Sequence, residues 1–160
     1  MIKNVSAVIH APFAAIGIVT NEHAITDLLL SAIDSTPCLS PCKGSLAELA
    51  CQQLEAYLKD SRFIFELPLH ISGTDHQIKV WRAMQLVASG STCTYGELAK
   101  WTNSSARAVG QTCGRNPIPI IIPCHRIISA NGTLGGFMRG QTDHALSIKR
   151  WLLSHEGHSI

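Results

Sequence analysis

Long apolar runs are missing from these 160 residues. None approaches the roughly 20 needed to cross a bilayer, so no membrane association is expected. The opening Met-Ile-Lys-Asn-Val has no signal-peptide hydrophobic stretch and no cleavage site, which sets the expectation of a cytoplasmic protein. Charge is scarce at 15%, but 46% apolar content is enough to build a core and argues against disorder. Internal repeats and low-complexity tracts are also lacking. Cys38 and Cys42 form a C-x3-C pair, but no second Cys/His pair follows at finger-like spacing. We therefore read them as loop cysteines and expect no metal. Without an export signal, all six cysteines are expected as free thiols.

The charge that is present is unevenly spread. Residues 1–75 carry four Lys/Arg against eight Asp/Glu, net −4, while residues 76–160 carry nine against three, net +6. A basic half beside an acidic half suggests that one face meets a polyanion. Chance scatter of solvated charge explains the numbers equally well, so charge alone leaves nucleic acid open.

Residues 5–10, 14–20 and 24–30 read as three short strands, with a turn at Asn21-Glu22, in an antiparallel meander. After a turn-rich stretch from Pro37 to Gly44, Ser45-x-x-Glu48 opens a helix with Leu46, Leu49, Ala50, Leu54 and Leu58 at helical spacing. Residues 63–71 read as a strand or extended link. Ser72-Gly73-Thr74 marks the expected boundary between domains 1–73 and 74–160. Beyond it, Thr74 or Asp75 caps a helix carrying Ile78, Val80, Trp81, Met84, Leu86 and Val87. Thr94-Tyr95-Gly96-Glu97 is a capping box opening a short helix to Trp101. A polar turn, Asn103-Ser104-Ser105, leads to a second short helix from Ala106 to Cys113, closed by Gly114. Two short helices on a tight turn suggest a helix-turn-helix. A last helix covers about 142–156, with Ile148, Trp151, Leu152 and Leu153 inward and Gly157 as its stop.

Between these helices lies Asn116-Pro-Ile-Pro-Ile-Ile-Ile-Pro-Cys-His-Arg126. Prolines 117, 119 and 123 forbid a helix, so the segment is expected to run extended to Cys124. Cysteine chemistry needs the thiolate, whose pKa of about 8.5 must be lowered or relieved by a base. His125 is the candidate base. In an extended strand it points away from Cys124, so a bridging water is needed to pass the proton. Glu156 is the candidate group to orient the imidazole. Cys-His adjacency alone is weak evidence, because a buried structural cysteine beside a surface histidine is the ordinary case.

Five ordered motifs alter that balance. Residues 122–127, Ile-Pro-Cys-His-Arg-Ile, resemble the active-site motif of the O6-alkylguanine-DNA alkyltransferases, the methylated-DNA–protein-cysteine methyltransferases. Thr94-Tyr-Gly-Glu-Leu-Ala99, Ala106-Arg-Ala-Val-Gly110, Asn116-Pro-Ile-Pro119 and Trp151-Leu-Leu-Ser-His-Glu-Gly157 resemble the same family in the same order. The likeness runs from about Gly73 to Gly157, and the first seventy residues match only in style.

The resemblance implies an α+β protein. Its small N-terminal α/β domain would have an antiparallel sheet of ribonuclease H-like (ribose) fold. Its C-terminal domain would be mostly helical, with a winged-helix-like helix-turn-helix. The implied function is direct-reversal repair. The alkyl group of O6-alkylguanine moves once and irreversibly to Cys124, with activity on O4-alkylthymine left open. The base must be flipped first, because a stacked O6 cannot be approached in line by a thiolate. His125 would take the thiol proton through water and Glu156 would hold the imidazole. Asn116 would brace the active-site segment. Tyr95 would either donate its phenol proton to the departing guanine or crowd a phosphate to favour flipping. Arg107 would fill the space of the extruded nucleotide, and Ala106, Ala108 and Gly110 would let their helix approach the minor groove. The carbonyls of Cys124 and Ile127 would accept from the guanine amino group. Phe137 would stack on the base and the Met138 amide would face its oxygen. Arg115 is placed with the DNA contacts, although for Arg115, Lys100 and Arg126 phosphate contact and core ion pair both stay open. No cofactor is implied. The expected partner is double-stranded DNA, bound by a monomer, with cooperativity on DNA left open.

The chain departs from the family pattern after the active site. Gly135-Gly-Phe-Met-Arg-Gly140 replaces the common aromatic–small–Gly-Gly stretch, with extra residues before Lys149. His76 stands where an aromatic residue is common. Two rivals remain: a lesion-binding relative that cannot repair, which would lack Cys124, and a Cys-His hydrolase, which would need an oxyanion hole that no motif here supplies.

Overall fold

The computed structural model describes residues 3–140 and 142–159. The chain divides into two compact units, one ending at Ile71 and the other starting at Ser72. Among the described residues it is a mixed α/β protein with five α-helices and a small antiparallel sheet.

In the first unit, β1 (Ala7–His10), β2 (Ala15–Thr20) and β3 (Ile25–Ser31) form an antiparallel sheet in the order β1-β2-β3. Ala7 pairs with Ile18, and Ile18 pairs in turn with Leu28. The Asn21 carboxamide oxygen accepts from the His23 and Ala24 amides at 2.8 Å and shapes the β2–β3 turn. Helix α1 (Leu46–Lys59) packs on β2 and is capped by Ser45 Oγ, which accepts from the Glu48 amide. Its buried face is Ala47, Ala50, Cys51, Leu54 and Tyr57, whereas Leu49 is 41% exposed. The expected leucine stripe is thus turned toward the smaller residues, because Ala47, Ala50 and Cys51 let the helix lie close on the sheet. Residues 63–71 form no strand beyond a single bridge between Leu69 and Ile25; they are an extended link.

In the second unit, α2 (Asp75–Met84) and α3 (Tyr95–Thr102) both begin with complete capping boxes, on Thr74 with Gln77 and on Thr94 with Glu97. Helix α2 stops at Met84, so Leu86 lies beyond it and is 79% exposed. Asn103 adopts a left-handed conformation at the end of α3, and Ser105 Oγ caps α4 (Ala106–Gly114). His76 reaches Ser104 Oγ at 2.7 Å and ties α2 to the turn between the two helices. The Trp81 indole donates to the Thr112 carbonyl at 3.0 Å and ties α2 to α4. Strand β4 (Cys93–Thr94) pairs in parallel with β5 (Ile127–Ile128), and α5 (Asp143–His155) follows. The core collects Val80, Met84, Leu98, Val109, Ile118, Ile122, Ile127 and Leu152, none of them exposed.

Candidate active site

Asn116 organises the segment that carries the cysteine. Its carboxamide oxygen accepts from the Ile118 amide at 3.0 Å, and its amino group donates to the Ile122 carbonyl at 2.7 Å. The loop between them is tight enough to hold Ile120 at φ +76, rare for a β-branched residue. The segment does not run extended into Cys124. Pro123, at φ −83 and ψ 63, forms an inverse γ-turn in which the Cys124 amide donates to the Ile122 carbonyl at 2.8 Å. Cys124–Arg126 then make one turn of 3-10 helix before β5. Proline restricts φ but leaves ψ free to bend the chain, so three prolines excluded a helix without securing an extended strand. Cys124 and His125 therefore do not alternate between two faces as neighbours in a strand do.

His125 is completely buried, and its Nε2 lies 2.8 Å from Glu156 Oε1. Glu156, whose side chain is also fully buried, accepts twice more from Arg126, at 3.0 Å from Nε and 2.8 Å from a terminal nitrogen. Arg126 completes its fork on the Val87 carbonyl at 2.6 Å. Burial alone would raise the Glu156 pKa, but hydrogen bonds from His125 and Arg126, and their charges, outweigh it and hold the carboxyl well below its usual range. Burial pushes the His125 pKa down, against the opposing pull of Glu156. The arginine is permanently charged and already balances the carboxylate, so the imidazole stays neutral. A neutral imidazole facing that carboxylate carries its proton on Nε2 and leaves a lone pair on Nδ1. His125 Nδ1 is buried and has no partner among the described residues.

Cys124 is 4% exposed and lines a cavity of about 570 Å³, together with Tyr95, Ala106, Arg107, Gly110, Phe137 and Met138 from the residues singled out in the sequence. Burial pushes the thiol pKa up, while a hydrogen bond from Asn116 and the charge of Lys149 draw it down. Ala108 and Arg115 do not line this cavity, and Arg115 is exposed. Ile127 does not line it either; it is buried, and its carbonyl accepts from Lys149 Nζ at 2.6 Å. Among the described residues no cluster of His, Cys, Asp or Glu is arranged to hold a metal, and no helix is long and apolar enough to cross a membrane.

Four residues of this centre were not picked out from sequence. Lys149 is fully buried, donates also to the Gly136 carbonyl at 3.0 Å and stands 5.8 Å from the Tyr95 ring centroid. Burial lowers its pKa to about 8. Its place beside Ile148 on the apolar face of α5 was the available signal. Cys113 lines the cavity as a second thiol, its pKa raised by burial and by Cys124. Gly135, at φ +68, leaves room for the Tyr95 ring: an added Cβ would stand 2.9 Å from the phenol oxygen. Arg139 also lines the cavity.

Two helices on a tight polar turn, beside a cavity lined by Cys124 and next to a buried His125–Glu156 pair, fit a DNA-binding protein. Comparison with known proteins agrees. Residues 75–158 match the model of the 6-O-methylguanine DNA methyltransferase DNA-binding domain. The methylated-DNA–protein-cysteine methyltransferase of Methanosarcina acetivorans is 46% identical over 68% of this chain and 67% of its own length. The constitutive enzyme of that name from Bacillus subtilis is 36% identical over 91% of this chain and 90% of its own. The crystal structure of Mycobacterium tuberculosis OGT in complex with DNA superposes with a TM-score of 0.78 at 34% identity, covering 94% of this chain and 91% of that one. The chain belongs to the O6-methylguanine DNA methyltransferase family.

Proposed function

We propose that this protein repairs O6-alkylguanine in duplex DNA by direct reversal, accepting the alkyl group on Cys124 in a single irreversible turnover. The observation that carries this reading is the pairing of a cavity-lining thiol with a neutral, carboxylate-held imidazole whose second nitrogen is free. His125 Nδ1 takes the Cys124 proton through a water, and Glu156 stabilises the imidazolium as it forms. The thiolate attacks the alkyl carbon in line as the carbon–oxygen bond breaks. Tyr95 supplies the proton to the guanine oxygen. Its own phenol pKa is raised by burial, which keeps it protonated until that charge develops. The thioether formed has no leaving group that water can displace under these conditions, so the protein is consumed.

Access to O6 requires the nucleotide to leave the stack. Arg107, exposed at the first turn of α4 and on the cavity wall, takes the vacated space. The small residues Ala106, Ala108 and Gly110 let α4 approach the minor groove. Phe137, 4% exposed on the cavity wall, stacks on the base, and the Met138 amide faces the guanine oxygen. We read residues 1–73 as a ribonuclease H-like domain, on the strength of its three antiparallel strands followed by a helix. Residues 74–160 are read as a winged-helix-like domain, with the β4–β5 pair in the place of the wing. The protein acts as a monomer. Its six free thiols suit the reducing cytoplasm.

The test is incubation with duplex DNA carrying labelled O6-methylguanine. One label per protein on Cys124 supports the reading. Tight lesion binding without label indicates a sensor instead.

A further inference from the structure

The turn at the cavity wall has two unusual features. Phe137 and Gly140 exchange both backbone hydrogen bonds at 2.9 Å, enclosing Met138 at φ +51 and Arg139 at φ +62. A two-residue turn with left-handed backbone at both central positions favours Asn-Gly. Met and Arg both carry a Cβ that disfavours that conformation. Arg139 is also seated on Gly114, the last residue of α4: a Cβ at Gly114 would stand 3.2 Å from Arg139 Cγ and 3.4 Å from its Cα. Gly114 has no positive φ, so its backbone does not require glycine. What the missing side chain provides is the seat for Arg139.

Arg139 and Arg107 line the same cavity, and neither guanidinium has a hydrogen-bond or ion-pair partner among the described residues. Their supports on α4, Arg107 and Gly114, lie seven residues apart, about 10 Å at 1.5 Å per residue. Two exposed, unpaired guanidiniums on one cavity wall give an anion two positive groups to meet at once.

We propose that Arg139 is a phosphate-binding residue that holds the backbone of the damaged strand while the nucleotide is in the cavity. The guanidinium fork suits phosphate oxygens. Arg107 and Gly114 stand near opposite ends of α4, so Arg139 meets the backbone away from the nucleotide whose place Arg107 takes. This rests on reading the cavity as the site of the flipped nucleotide.

The experiment measures binding to a duplex carrying O6-methylguanine across a salt series for the Cys124→Ser protein, which cannot consume the lesion, alone and combined with Arg139→Gln or Arg139→Lys. Loss of one phosphate contact lowers the slope of log K against log salt by about 0.9. Adding Arg139→Gln is expected to show that loss, and adding Arg139→Lys to retain the slope of the Cys124→Ser parent. Label transfer by the wild-type protein is run beside it. An unchanged slope in Arg139→Gln, with wild-type Cys124 labelled, overturns the Arg139 assignment alone. Failure of the wild-type protein to take label overturns the site reading and the assignment with it.

Discussion

The imidazole of His125 and the carboxylate of Glu156 meet at 2.8 Å with both side chains shut off from solvent. The carboxylate is shared with Arg126, which fixes the protonation of both partners. Replacing Glu156 by glutamine keeps the shape but removes the charge that supports a forming imidazolium. Transfer to Cys124 is expected to slow by about 10²-fold or more, within the range of a lost acid–base contribution, in a single-turnover assay. Lesion binding should be little changed.

The same substitution has a signature in acid. The Glu156 pKa is depressed on folding, so its contribution to stability is complete above the unfolded carboxylate value of about 4.3 and is lost as pH falls through the lower folded value. Breaking the buried pair is expected to cost about 3 kcal/mol at neutral pH. Denaturant titrations from neutral pH down to pH 3 should therefore show a less stable Glu156→Gln variant with a flatter acid dependence.

His125 sets the acid limb of the transfer rate. Its pKa is pushed down by burial and pulled up by Glu156. The wild-type rate is expected to hold below the ordinary histidine value of about 6.5 before falling. Removing the Glu156 charge should move that limb to still lower pH while reducing the plateau. A limb shifted upward in Glu156→Gln would contradict the neutral-imidazole account.

Gly135 supports the site from behind Tyr95. Its φ of +68 and the 2.9 Å approach of the phenol leave no room for a methyl group. Gly135→Ala is expected to lose about 1–3 kcal/mol through backbone strain. Displacing Tyr95 from the reacting oxygen should also slow transfer by up to about 10²-fold. Thermal melts and single-turnover labelling check the two effects separately.

Local rules made much of the fold legible. Thr94 with Glu97 and Ser105 before Ala106 marked the starts of α3 and α4 directly, because their side chains accept from amides within one turn. Hydrophobic spacing located α5 and α2, although α2 ended sooner than its apolar residues suggested. The site was half legible. Cys124 and His125 adjoin in sequence, and the motif order carried Glu156 and Asn116. The bend at Pro123 was hidden, since proline leaves ψ undetermined. The β4–β5 pairing was hidden because it joins two-residue strands far apart in the chain. Lys149 was missed because a lysine is read as solvated unless its carbonyl partners, Ile127 and Gly136, are known in space.

Transfer itself is the most direct measurement. Wild-type protein and the Cys124→Ser variant are incubated with a duplex containing one labelled O6-methylguanine, and the products are resolved by peptide mass analysis. The account predicts one methyl group per wild-type chain, located on Cys124, and lesion binding without label in the serine variant. Label on Cys113 or elsewhere, repeated turnover, or no transfer from a lesion the protein binds would contradict it.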